Sequence, residues 1–166
     1  MNDFPYTKQL VHINKYIPID LNNVKQYLHT TDDETALQIA RKACQIVEKM
    51  LNRSLLLKKF ELTHNQTVIY LHHPPILKIH KITVLKTKQE LRENIDYKSY
   101  LFNMNLLKLN ESFFGIPVKV VYETGYTQET LPHSIKQQLL NVCYDVYTQN
   151  ISTPSQHCHY LQHSFL

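Results

Sequence analysis

Glycine is nearly missing from this chain: among 166 residues only Gly115 and Gly125 are glycine. Phosphate-cradling loops of the Walker and dinucleotide-binding types need several glycines in close succession, so two isolated ones exclude both. Tryptophan is absent, and cysteine is limited to Cys44, Cys143 and Cys158, an odd set that implies no disulfide framework. No uninterrupted apolar run approaches the roughly 18 residues of a membrane-spanning helix. The first residues also lack the basic stretch and apolar run of an export signal. The expectation is therefore a soluble protein of the cell interior with no membrane contact. Arginine is scarce as well, with only Arg41, Arg53 and Arg92. Direct base readout leans on Arg and Asn geometry, so a net charge of +4 lends little support to sequence-specific DNA binding.

What the chain does have is pattern. Its length suits one domain, which at this size buries about two-thirds of its unfolded surface. Residues 1–18 show no sustained period and carry Pro5 and Pro18, which reads as an arm or edge segment. From Asp20 a short helix is expected, with Asp20 as cap, Leu21, Val24, Tyr27 and Leu28 at helical spacing, and an end near His29. Thr31 stands three residues before Glu34, the spacing of a reciprocal capping box, so a second helix should begin there. Leu37, Ala40, Cys44, Val47 and Leu51 form its apolar stripe, which Ala36, Ala43, Ile46 and Met50 widen. A face that broad calls for partners on two sides.

After Arg53 the period becomes alternating. Phe60 and Leu62, the Asn65 and Gln66 turn and the run Thr67 to Leu71 predict a hairpin. His72, His73, Pro74 and Pro75 stop it, and Ile76 to Leu85 reads as a longer strand. A polar loop follows over Thr87 to Asn94. Tyr97 to Phe102, Leu106 to Leu109 and Val118 to Thr124 supply three more strands. Pro132 then suits the first turn of a final helix, in which Ile135, Leu139, Val142, Cys143 and Val146 share a face. The fold class is thus α+β: helices at both ends, two N-terminal and one C-terminal, flanking a small antiparallel sheet or partial barrel.

Chemistry finds little purchase. Of ten histidines, His157, His159 and His163 cluster with Cys158. A tetrahedral zinc site wants about four ligands, with a second pair at defined spacing, so no metal is assigned. His72 and His73 precede two prolines with no acidic or thiol ligand beside them. A small hydrolase built on either would need a catalytic partner that the sequence does not offer. Cys44 and Cys143 fall on inward helix faces, where burial blunts a thiol. Asp32, Asp33 and Glu34 suit the positive end of a helix dipole without any catalytic role. Lys58, Lys59, Lys86 and Lys88 sit where lysines guard strand edges. No catalytic residue and no cofactor follow from these patterns. Eleven tyrosines are a large supply of a residue suited to wet interfaces.

Certain residues, taken in order, resemble a known family. Ile19, Asp20 and Leu21, then Val24 and Lys25, Tyr27 and Leu28, Asp32 to Glu34, Leu37, Ala40 to Ala43, Val47 and Glu48, and Leu51 to Arg53 with Leu55 are similar to the opening of phage head-tail connector (adaptor) proteins. Leu71 with Pro74 and Pro75, Val120 to Tyr126, Leu131 and Pro132, Ile135 to Gln137, Leu139 and Leu140, and Tyr147 with Asn150 resemble that family's sheet exit and final helix. The likeness spans roughly 19–150. The sequence departs from many relatives in having Leu28 and His29 where a Leu-Arg pair is frequent, and in its little glycine and alanine.

The resemblance implies a non-enzymatic component of a tailed phage, prophage or gene-transfer-agent particle, assembled in the host cytoplasm and resident at the head-tail interface. With the element reading above it gives a connector domain over 1–150 (arm 1–18, helical 19–53, β-rich 56–124, C-terminal helix 131–150) and a tail over 151–166. Copies would form a ring, commonly twelve-fold, between the portal protein and a tail stopper or tail-completion protein. DNA would pass through that ring without sequence-specific binding. Tyr160, Leu161, Phe165 and Leu166 in the tail are the candidate portal-binding residues. The alternative is a nucleic-acid-binding module in which the first two helices act as a helix-turn-helix.

Overall fold

The structure, a computed structural model, describes residues 7–13 and 16–148. In chain order its elements are strand β1 (Thr7–Ile13), helices α1 (Leu21–Leu28) and α2 (Asp33–Leu51), and strands β2 (Lys58–His64), β3 (Val68–Tyr70), β4 (Ile76–Val84) and β5 (Tyr97–Tyr100). A single helical turn α3 (Leu101–Met104), strands β6 (Leu106–Leu109) and β7 (Val118–Thr124) and helix α4 (His133–Thr148) complete the order. All pairings between these strands are antiparallel, so the class is α+β. The first described element is a strand, so helices do not open the order as expected. The segment read as an arm or edge lies at a sheet edge over Thr7–Ile13.

Contacts gather the chain into two units, each assembled from separated stretches. One holds β1 together with Leu56–Tyr126, and the other holds Ile17–Leu55 together with the chain from Thr127.

In the first unit two sheets form, with strand orders β1-β2-β7-β4 and β3-β6-β5. Strand β7 is central because its sequence suits burial on both faces. Val118, Val120, Val121 and Tyr122 are all buried, and Leu62 lies opposite Val120 in the register. Phe60, opposite Tyr122, stacks on it at 5.7 Å between centroids. Ile69, Leu107 and Leu109 from the smaller sheet join this same apolar cluster.

The expected hairpin of β2 with β3 does not form. Strand β2 pairs with β1 and β7, whereas β3 pairs with β6. Alternation marks a segment as extended but does not choose its partner. The strand expected over Tyr97 to Phe102 stops at Tyr100 and gives way to α3, which ends on Asn105 with φ 50°. No partial barrel is needed to pair these strands, since they divide between two sheets.

In the second unit α1, α2 and α4 pack together through buried Val24, Leu28, Ala36, Ala40, Ala43, Cys44, Val47, Ile135, Leu139, Val142 and Cys143. Small residues on α2 let neighbouring helix backbones approach. Asp20 caps α1 as expected, its Oδ1 accepting from Asn22 N–H at 3.0 Å, and His29 closes the helix with φ 53°. The cap of α2 is Asp32 and not Thr31. Asp32 is the last extended residue, its carboxylate accepts from Glu34 N–H at 3.0 Å and from the Thr35 hydroxyl, and Ala36 N–H reaches its carbonyl at 3.1 Å. Glu34 instead accepts from Gln38, one turn along, at 3.3 Å. Pro132 lies one position ahead of α4, its carbonyl accepting the first helical bond from Lys136 N–H at 2.9 Å.

Candidate assembly surfaces

The residues that tempted a chemical reading have structural roles in this fold. His73, held at φ 62°, lies half-buried with its ring stacked on Phe60 at 5.1 Å. Lys8 Nζ meets its Nε2 and stands 5.1 Å over the Phe60 ring. Partial burial holds the Lys8 ammonium below the usual lysine range. Burial, with the Lys8 charge second, holds neighbouring His72 below the ordinary histidine value. Cys44 and Cys143 are both fully buried, and burial pushes the Cys143 thiol up to about 12. That leaves it almost wholly protonated at neutral pH and inert as a nucleophile. Among the described residues no three His, Cys, Asp or Glu side chains are grouped to hold a metal ion, and no helix is long and apolar enough to cross a membrane. His157, Cys158, His159 and His163 lie outside the described residues. So do Tyr160, Leu161, Phe165 and Leu166, the candidate portal-binding set.

Two surfaces stand out instead. The first is the outer face of the three-stranded sheet. Residues directly opposite each other in antiparallel strands share a face. The register therefore lines up Tyr70, Leu106 and Tyr100 as one row and Val68, Lys108 and Lys98 as the next. Ile69 and Leu107 point the other way, into the core. Tyr70 is 63% exposed and Tyr100 43%. At the end of the sheet α3 adds Phe102, 99% exposed, and Met104, 59%. Tyr70, Leu106 and Tyr100 are neighbours by register, and α3 follows Tyr100 directly in the chain.

The second surface belongs to the helical unit. Tyr27 on α1 meets Tyr144 on α4 edge-to-face at 6.4 Å, and its hydroxyl donates to Asn141 Oδ1 at 2.8 Å. Tyr147 lies one turn further along α4. Beside this cluster runs an open groove of about 390 Å³, lined by Asn23, Gln26, Tyr27, His133, Lys136, Gln137 and Leu140. Its lining is mostly polar: the amides of Asn23, Gln26 and Gln137 and the basic His133 and Lys136 stand beside the Tyr27 ring and Leu140.

The sequence singled out neither surface residue by residue. The large supply of tyrosine was the one signal that could have done so: Tyr27, Tyr70, Tyr100, Tyr144 and Tyr147 are all exposed.

No protein-family model matches the chain, and no curated protein matches it. Solved structures do. The chain is similar to one in the neck of an empty gene transfer agent particle with C6 symmetry, with a TM-score of 0.66 and 13% identity, covering 86% of this chain and 84% of that one. It is similar to a chain in the virion of a native gene transfer agent particle, with a TM-score of 0.65 and 12% identity over 85% and 84%. It is similar also to one in the neck of a native particle with C12 symmetry, with a TM-score of 0.59 and 12% identity over 83% and 84%. At such identities the likeness is one of fold. This α+β arrangement is one found in particle necks, in agreement with the head-tail connector resemblance of the sequence.

Proposed function

We propose that this protein is a non-enzymatic head-tail connector (adaptor) of a tailed phage, prophage or gene-transfer-agent particle. Copies form a ring between the portal and the tail stopper and extend the channel through which DNA passes. The observation that carries this reading is the fold likeness to neck chains over 86% of the chain. The exposed aromatic surfaces on both units support it, because a ring subunit needs two complementary, non-identical faces for a heterologous contact that closes. The segment 151–166 serves as the portal-engaging tail through Tyr160, Leu161, Phe165 and Leu166.

Electron microscopy of the purified chain mixed with its portal tests the reading. A stacked ring is expected, and failure of the two to associate overturns it. Deleting 151–166 should abolish portal capture in a pull-down, and undiminished capture would remove the tail from the proposal.

The helix-turn-helix alternative is disfavoured by the start of α2. A recognition helix presents its N-terminal residues to base edges. Here those positions are Asp32, Asp33 and Glu34, all exposed and acidic, which would repel the phosphate backbone. Duplex binding should accordingly be weak even at low salt, where a true DNA binder gains most.

A further inference from the structure

We draw no further inference here: the strongest candidate, the outer face of the three-stranded sheet, where Tyr70 and Tyr100 flank Leu106 beside the opposed Lys98 and Lys108, is an unpartnered face, and nothing in the structure shows what covers it.

Discussion

Gly125 passes so close to Leu56 that a Cβ built on the glycine would stand 2.3 Å from the Leu56 carbonyl oxygen and 2.7 Å from its carbonyl carbon. The backbone there has φ +112°, a region that side-chain-bearing residues rarely adopt, and Gly125 N–H donates to the Pro75 carbonyl at 3.0 Å. One of the chain's two glycines is thus fixed by both space and dihedral at the exit from β7.

Gly125→Ala should therefore destabilise by about 3 kcal/mol or more, in the range of backbone strain that a fold cannot relax. Gly115, at φ +73° with nothing among the described residues within 4 Å of its would-be Cβ, carries only the dihedral penalty, so Gly115→Ala should cost about 1 kcal/mol. Urea denaturation of the two variants checks the difference, and equal losses would refute it.

Asp32 should dominate the start of α2. Its carboxyl is held below the usual carboxylate range, first by the Thr35 hydroxyl and then by Glu34 N–H. A depressed folded value means stability that is present above the unfolded pKa of about 3.9 and lost as pH falls through the folded one. Asp32→Ala should lower the thermal midpoint by a few degrees at pH 7 and flatten the acid limb of the stability curve, while Thr31→Ala should do neither. Calorimetry between neutral pH and pH 3 separates the two residues.

Thr124 is fully buried in β7, and its Oγ1 has no hydrogen-bond partner among the described residues. Burying an unsatisfied hydroxyl is unfavourable, so Thr124→Val should leave stability unchanged or raise it by up to about 1 kcal/mol. A clear fall in the denaturation midpoint would mean that the hydroxyl has a role in the fold.

Cys143, with its thiol raised to about 12 and no exposed surface, should resist alkylation in the folded chain. At pH 8 only about one thiol in ten thousand is ionised. In a Cys158→Ser background, mass spectrometry after iodoacetamide treatment should find Cys143 unmodified until denaturant unfolds the helices. Prompt labelling would show that α4 opens.

Local signals were the ones the sequence carried plainly. Asp20 and His29 marked both ends of α1 because a cap and a left-handed exit are decided within a few residues. The runs Leu106 to Leu109 and Val118 to Thr124 match β6 and β7 because β-branched and apolar residues fill them to the ends. The cap of α2 was misplaced by one residue, since Thr31 and Asp32 are both good caps and only the backbone decides between them. Pairing was beyond reach. Nothing in Val68 to Tyr70 says that its neighbour is β6 and not β2, because that choice depends on residues forty positions further along.

The candidate surfaces were hidden for a related reason. Tyr70 and Tyr100 become neighbours only through Leu106 between them, and Phe102 reads as a strand residue until α3 turns it outward. Tyr27 likewise meets Asn141 across more than a hundred residues.

The interleaving of the two units bears on how the polypeptide is made. Strand β1 leaves the ribosome before α1 and α2, yet its partner β2 comes only after them, and α4, against which those helices pack, follows every described strand. No single cut in the chain frees either unit, and a nascent product halted anywhere before His133 holds helices without their third member. Such truncated products should be insoluble or rapidly degraded, because unsealed apolar faces drive aggregation. Closure of the helical unit thus waits for translation of α4.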